Sequence, residues 1–215
     1  MLTLYDGDAR VELSGTTTAN WVAKSANLLV DALGAPDRIG LLLPLHWQTV
    51  ALLLAGVTTG ATVVLADDAA ALAGCGAAFV AAEQAEAALD AGVDDVLALS
   101  GHPLGAPATG LPALVLDYAR EVPSYADHFG GPRPGRAVVE AGGRQVEPVT
   151  AFTRQDRVLT ALDPADPAGA GVLLGALRAG AGLVLLRAGA AEAVAGAERA
   201  TITAGCDVPG LIRSA

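Results

Sequence analysis

Four residues at the ends of two predicted strands are the best candidates for a ligand site in this sequence. His46 and Trp47 follow one apolar strand, and Ser100 and His102 follow another. Ligands of open parallel sheets bind outside the carboxyl ends of the strands, so these residues could border one crevice. Histidine also changes charge near neutral pH, which suits proton transfer. The sequence fixes no Asp, Cys or second His beside either histidine. The alternative interpretation is therefore that the histidines are ordinary loop residues and that Trp47 packs over the helix.

A glycine pattern offers a second kind of site. Gly169, Gly171 and Gly175 follow a predicted strand and open a helix expected to reach residue 179. In a dinucleotide fingerprint, such glycines let a pyrophosphate approach the helix N-terminus. The spacing here is GxGxxxG, whereas the fingerprint is GxGxxG. Asp163 and Asp166 stand immediately before the pattern and would repel a phosphate. The alternative is a helix start that packs closely on its surroundings.

The remaining motifs indicate no reaction. Asp67 with Asp68, and Asp94 with Asp95, are pairs of adjacent carboxylates, which usually form a solvated edge or a helix cap. The sequence contains no HExxH, GxSxG or GxxxxGKS/T motif and no cluster of Cys and His. We therefore expect no metal site and assign no catalytic residue.

Composition restricts the partners and the compartment. The 215 residues carry a formal net charge of −10, and Lys24 is the only lysine. Binding to a nucleic acid or to an anionic membrane surface needs clustered Lys and Arg, so we expect neither. Cys75 and Cys206 lie far apart without a CxxC motif, and the chain opens without a basic, apolar leader. These features favour a cytoplasmic protein with two thiols.

One strand–helix–strand pattern occurs twice. The first copy, residues 37–65, reads DRIGLLLPLHWQTVALLLAGVTTGATVVL. Its start is similar to DRVLTAL at 156–162, and its end is similar to VLLGALRAGAGLVL at 172–185. The uncharged part of the first copy exceeds the ~20 residues of a membrane span, but Pro44 and Gly60 divide it into a strand, a helix and a strand. The alternation predicts βαβ units. The expected fold class is α/β, layered αβα with mostly parallel sheets.

The repeat also predicts two similar lobes. Each is expected to begin with a hairpin, at 2–13 and at 137–146, followed by a helix and the strand–helix–strand unit. The helix of the second lobe is short, at 148–154. The predicted domains are a first lobe at 1–120, a linker at 121–135 and a second, smaller lobe at 136–215.

The first copy resembles an early segment of the adenylate-forming (AMP-binding) superfamily, the acyl-CoA synthetases and their relatives. The preceding helix, TTTANWVAKSANLLVDALGAPDR, resembles the helix that leads into that segment, and the second copy resembles a later one. More narrowly, NWVAKSANLL, LPLHWQTVALLL and ALSGHPLGAP are similar to a short family of acyl-CoA-synthetase-like proteins from actinobacteria. The resemblance implies the two-lobed fold of the N-terminal domain of these enzymes.

One departure from that superfamily bears on function. Its enzymes hold the ATP phosphates with a Ser/Thr/Gly-rich loop ending in Lys, which should lie near residues 137–150. That region reads AVVEAGGRQVEPVT, without Ser or Lys. The later motifs and the C-terminal domain with its catalytic Lys are also expected to find no room before residue 215. The resemblance therefore implies the fold and loss of adenylation, because little remains to stabilise charge at the α-phosphate. It transfers no catalytic residue, and ATP, AMP or CoA follow as cofactors only from resemblance.

Three functional hypotheses result. The first is a divergent, truncated acyl-CoA-synthetase-like protein that is not a competent ligase and that binds an acyl or nucleotide ligand or acts as a scaffold. The second is an active enzyme that uses the crevice near His46, Ser100 and His102. The third is an oligomerisation or interaction module, for which a second copy of the chain is one candidate partner. The balance of motifs leans against an enzyme.

Overall fold

The computed structural model describes residues 1–131 and 137–213, and within these ranges the chain forms two mostly parallel β-sheets. The first sheet has the strand order β7-β6-β5-β3-β4-β8-β9, and the second has the order β13-β12-β10-β11-β1-β2. The strands are β1 Leu2–Asp6, β2 Ala9–Leu13, β3 Arg38–Leu42, β4 Thr62–Leu65, β5 Ala77–Ala81, β6 Asp95–Leu99, β7 Val115–Asp117, β8 Val139–Ala141, β9 Arg144–Gln145, β10 Arg157–Thr160, β11 Gly182–Ala188, β12 Ile202–Ala204 and β13 Ile212–Arg213.

The helices lie between the sheets and on their outer faces. They are α1 Gly15–Asn27, continued by a π-helical turn Leu28–Ala32, α2 Trp47–Thr59, α3 Ala85–Asp90, α4 Tyr118–Glu121, α5 Pro167–Ala179 and α6 Ala191–Glu198, with 3-10 turns at Ala70–Leu72, Ala82–Gln84 and Val122–Ser124. Residues of α1, α2 and α5 pack against the inner faces of the sheets, and α3 and α6 cover the outer faces. The layered α/β prediction is therefore confirmed as two αβα stacks that share a central helix layer.

Local signals explain where the central helices begin and end. Ser14 caps α1 by accepting a hydrogen bond from the backbone N–H of Thr17 at 3.0 Å. Helices α2 and α5 each end at a glycine with left-handed backbone, Gly60 at φ 87° and Gly180 at φ 70°. Glycine adopts this conformation without a steric penalty, and it lets the chain turn directly into the next strand.

Each predicted hairpin joins the sheet of the other half. The β1–β2 hairpin lies in the second sheet, where β1 pairs in parallel with β11. The β8–β9 hairpin lies in the first sheet, where β8 pairs in parallel with β4. The boundaries drawn at residues 120 and 136 therefore do not match the division of strands between the sheets. An edge strand needs a hydrogen-bonding partner, and the nearest partner in space belongs to the other half.

Some local predictions were wrong. Residues 148–154 are not helical, because this segment runs beside α5 and Val149 donates its N–H to the carbonyl of Gly171 at 3.0 Å. Of the predicted linker, Glu121 ends α4, residues 122–131 follow it and contact α1, and 132–135 fall outside the described residues. Helix α5 begins at Pro167, five residues earlier than expected, and β13 was not predicted. None of the described helices is both long and apolar enough to cross a bilayer.

Candidate functional site

His46 is a buried helix cap at the carboxyl edge of the first sheet. Its Nδ1 accepts a hydrogen bond from the backbone N–H of Gln48 at 3.2 Å, which satisfies one of the open donors of α2. Only 3% of the residue is exposed, and Nε2 has no hydrogen-bond partner among the described residues. Burial, reinforced by the charge of Arg187 and opposed by that of Asp6, lowers the pKa of His46 to about 4. The ring is therefore neutral at physiological pH.

Trp47 anchors the same edge to its surroundings. Its indole Nε1 donates a hydrogen bond to the carbonyl of Pro103 at 2.8 Å. Its ring meets the ring of Trp21 edge-on, with centroids 5.0 Å apart. The residue is 2% exposed. Trp47 is thus a packing residue that ties α2 to α1 and to the loop after β6.

Ser100 and His102 shape the loop on which they lie. Ser100 Oγ donates to the carbonyl of Ala106 at 2.5 Å and accepts from the backbone N–H of His102 at 3.2 Å. His102 Nδ1 accepts from the backbone N–H of Leu104 at 3.1 Å. Both residues are exposed. The side-chain hydrogen bonds of both residues fix a tight loop, and the backbone of His102 faces the buried ring of His46.

The loop at 100–108 fills the expected crevice. The Gly101 carbonyl accepts a 2.9 Å hydrogen bond from Arg187 Nη1, and the other end of that guanidinium pairs with Asp6. Gly105, at φ 69°, lies so close to α2 that a Cβ there would come within 2.9 Å of the Trp47 ring. The cavity left beside His46 is about 10 Å³, the size of one water molecule. The chain does bring the four residues to one sheet edge, but the cavity that His46 itself lines is only water-sized, and a binding role for the four residues stays a prediction.

The glycines of the GxGxxxG pattern lie within α5 and make room for a neighbouring backbone segment. A Cβ on Gly175 would lie 3.0 Å from the carbonyl carbon of Val149 and closer still to its oxygen, and a Cβ on Gly171 would lie 3.2 Å from the carbonyl oxygen of Glu147. Asp166 caps the helix by accepting from the N–H of Ala168 at 2.7 Å. A side chain therefore already occupies the helix N-terminus, and the close-packing interpretation accounts for the glycines.

A paired hairpin occupies the position expected for the phosphate loop. Strands β8 and β9 are joined by a turn that contains Gly142 at φ 56° and Gly143 at φ 71°. Val63, Val64 and Leu65 of β4 pair with β8, which places the hairpin in the sheet. The backbone on both sides of this turn is used in sheet pairing.

The carboxyl edge of the first sheet is acidic. A cavity of about 200 Å³ beside the ends of β3, β4 and β5 is lined by the carboxylates of Asp67, Glu83 and Asp163. No group of three or more His, Cys, Asp or Glu within 1–131 and 137–213 is placed to hold a metal ion. Like charge would raise the free energy of a bound phosphate at this edge.

A larger cavity lies at the opposite edge, among residues that no motif marked. It measures about 550 Å³ and is bordered by α1, α2, the end of α5 and residues 127–129. Leu2, the first residue of β1, and Leu183, the second residue of β11, lie at its floor. The only sequence signal for it is the run of small residues on α1 and at the α5–β11 junction, a pattern equally typical of tight helix packing.

Comparisons with known proteins identify both a relative and the fold. No protein-family model matches the chain. A protein of Mycobacterium tuberculosis (strain ATCC 25618 / H37Rv) named "TIGR03089 family protein" is 40% identical over 198 residues, which cover 85% of this chain and 81% of the relative. Because these shares are nearly equal, the two proteins are similar in length.

Solved structures match almost the whole chain at low identity. An acyl-CoA synthetase from Brucella canis superposes with a TM-score of 0.77 at 18% identity, over 95% of this chain and 44% of that one. The anthranilate CoA ligase AuaEII, solved with anthranoyl-AMP, gives 0.72 at 14% identity over 94% and 46%. The N-terminal domain of FACL13 from Mycobacterium tuberculosis gives 0.65 at 18% identity over 95% and 58%.

The chain therefore spans about half the length of the acyl-CoA synthetase structures that it matches. At these identities the likeness establishes the fold, and the mycobacterial relative establishes the family. The chain belongs to the TIGR03089 family and has the N-terminal-domain fold of the adenylate-forming acyl-CoA synthetases.

Proposed function

We propose that this protein is a cytoplasmic, non-adenylating member of the acyl-CoA-synthetase-like group and that it binds a small molecule without activating it. The observation that supports the proposal is the paired hairpin at the position expected for the phosphate loop. The region at 137–150 is a paired hairpin, and its sequence has neither Ser nor Lys.

The caps of the central helices support the same conclusion. Helix N-termini bind phosphate through their unpaired N–H groups. Here His46 accepts from the first turn of α2 and Asp166 accepts from the first turn of α5. A phosphate would have to displace a side chain in both places, and at α5 that side chain is a carboxylate.

Electrostatics add a third argument. The chain has a formal net charge of −10, and Asp67, Glu83 and Asp163 line the cavity at the carboxyl edge of the first sheet. A nucleoside triphosphate would meet repulsion there with no lysine or arginine among the lining residues to offset it. An acyl-adenylate, which carries one phosphate, faces the same obstacle to a smaller degree.

The test is ATP–pyrophosphate exchange with a panel of aliphatic and aromatic carboxylic acids. We expect exchange at the background rate, while a full-length acyl-CoA synthetase assayed in parallel exchanges rapidly. A thermal-unfolding series with Mg-ATP and AMP should show no stabilisation, since a ligand that binds the native state raises the unfolding temperature. Robust exchange by the pure chain would overturn the proposal.

A further inference from the structure

We infer that the 550 Å³ cavity at the amino edge of the second sheet is the ligand site of this protein and that it takes an uncharged, largely apolar molecule. The inference rests on the proposed function and deepens it by naming a place and a chemical class. The cavity lies on the side of the sheets opposite to the capped N-termini of α2 and α5, so its use does not depend on ATP chemistry.

Size is the first argument. Protein interiors are packed so densely that voids larger than a water molecule are few. A cavity of about 550 Å³ lies within the range of small-molecule sites, roughly 300 to 1,000 Å³. The cavity beside His46 is about 10 Å³, and the acidic one is about 200 Å³.

Side-chain size explains why the space exists. The α1 face toward the cavity carries Ala19 and Ala23, and the turn from α5 into β11 contributes Gly180 and Ala181. Leu2, Val22, Leu54, Leu177 and Leu183 form apolar walls around these small residues. An apolar ligand body would remove this surface from water, at about 25 cal/mol for each Å² buried.

The wall formed by residues 127–129 is held in place by α1 itself. Lys24 Nζ forms a 3.0 Å ion pair with Asp127. Asn27 Nδ2 donates to the carbonyl of Ala126 at 3.1 Å and to that of His128 at 3.0 Å. Phe129, which borders the cavity, is therefore supported by bonds on both sides of Asp127. A wall fixed before binding reduces the entropy lost when a ligand enters.

The charges at the rim select against an anion. No Lys or Arg is among the residues that line the cavity, and Asp127 contributes a carboxylate. The lysine nearest in this arrangement, Lys24, is already paired with that carboxylate. Met1, which is half-exposed, and His128 also border the cavity. Thr18 and Thr58 supply hydroxyls, which suit an uncharged polar group such as an alcohol or amide.

Two dyes with one aromatic skeleton test the inference. N-phenyl-1-naphthylamine is uncharged, and 8-anilino-1-naphthalenesulfonate adds a sulfonate; both fluoresce strongly only in apolar surroundings. We expect the uncharged dye to saturate at one molecule per chain and the sulfonate to bind at least tenfold more weakly. Equal or tighter binding of the sulfonate would overturn the chemical class, and no saturable binding of the uncharged dye would overturn the site.

A pair of variants on α1 locates the bound dye. Ala19→Phe puts a ring at an exposed position that borders the cavity, and Thr16→Phe puts the same ring at an exposed position outside the lining. With circular dichroism showing both variants folded, Ala19→Phe should weaken binding of the uncharged dye at least tenfold and Thr16→Phe should leave it unchanged. Equal affinities in the two variants would place the dye elsewhere and overturn the site.

Static light scattering of the same samples separates a small molecule from a second copy of the chain. A dimer that Ala19→Phe converts to monomer would show that a protein surface occupies the cavity, which overturns the inference. Dye binding and pyrophosphate exchange test the two proposals separately. Dye binding with rapid pyrophosphate exchange would reject only the proposed loss of adenylation, and no dye binding with no exchange would reject only the cavity.

Discussion

The two strand–helix–strand units share a backbone plan and differ in what surrounds it. In β3–α2–β4 and in β10–α5–β11, a 13-residue helix ends at a left-handed glycine and leads into a parallel strand. The glycine within the helix is shifted by one residue between the aligned copies, from Gly56 to Gly175. One residue turns a helix position by about 100°, so the two glycines face different neighbours. The helix glycine of the first unit therefore faces side chains of the first sheet, and that of the second unit faces the backbone of Val149.

The largest expected effect tests that difference. A Cβ on Gly175 would overlap the backbone of Val149, whereas a Cβ on Gly56 would come within 2.5 Å of a Val63 methyl and 2.6 Å of the end of the Ile39 side chain. Side-chain ends can move more readily than the backbone of Val149, whose N–H is bonded to the carbonyl of Gly171 in α5. We expect Gly175→Ala to lower the free energy of unfolding by about 3 kcal/mol and Gly56→Ala by about 1.5 kcal/mol.

Gly196→Ala is the matched control for these measurements. Gly196 lies on the exposed face of α6 with nothing within 4 Å of an added Cβ. Alanine should stabilise that helix by up to about 1 kcal/mol. Urea denaturation of the three variants checks the order, and a Gly175→Ala protein as stable as the wild type would contradict the packing role of the glycine pattern.

The arginines that open the two units make a second comparison. Arg38 of β3 pairs with Glu140 at 2.6 Å, with 36% and 26% of the two side chains exposed. Arg157 of β10 pairs with Glu198, whose side chain is 4% exposed and also accepts from Tyr5 Oη and Arg10 Nε at 2.8 Å each. Burial raises the pKa of Glu198, but the bonds from Arg10, Tyr5 and Arg157 outweigh it and hold the pKa below its usual value.

Neutralising each glutamate should therefore have unequal consequences. Glu198→Gln leaves a buried guanidinium without its counter-charge, and we expect a loss of about 2.5 kcal/mol, less than for full removal because the amide keeps an acceptor. Glu140→Gln breaks a partly exposed pair and should cost about 0.5 kcal/mol. Urea denaturation at pH 7 measures both losses. Equal losses would show that burial does not govern the strength of these pairs.

The sequence predicted the parts of the molecule that depend on neighbours along the chain. Apolar runs marked the strands, and Gly60 and Gly180 marked the helix ends, because each needs only local conformation to be recognised. The exchange of hairpins between the sheets depends on contacts between residues more than 70 positions apart, such as Val64 with Glu140. No local pattern encodes such a pairing, so the domain boundaries followed the order of the repeat.

The candidate site shows the same limit. The placement of His46 after a strand was predictable, since a buried apolar strand and a helix flank it. The closure of the loop at 100–108 over His46 could not be predicted. In the sequence Gly105 looks like any loop glycine, and only the fold places it against Trp47. The large cavity was equally hidden, since Ala19 and Gly180 look like packing residues until the third wall, at 127–129, is seen.

The caps of α2 and α5 make a third comparison, and its expected effect on stability is smaller than those of Gly175→Ala and Glu198→Gln. Exposed Asp166 caps α5, whereas buried His46 caps α2 with a pKa lowered to about 4 from its ordinary 6.5. The folded state therefore resists protonation of His46. Its contribution to stability is complete above pH 6.5 and is lost as the pH falls toward 4. We expect about 2 kcal/mol of this stability to be lost between pH 7 and pH 5, measured by urea denaturation at each pH.

The variant His46→Asn tests whether His46 causes this loss. It keeps an acceptor for the N–H of Gln48 and removes the titrating ring, so it should abolish the loss across that range. An unchanged pH dependence in this variant would show that another group, and not the cap of the first unit, makes the fold sensitive to acid.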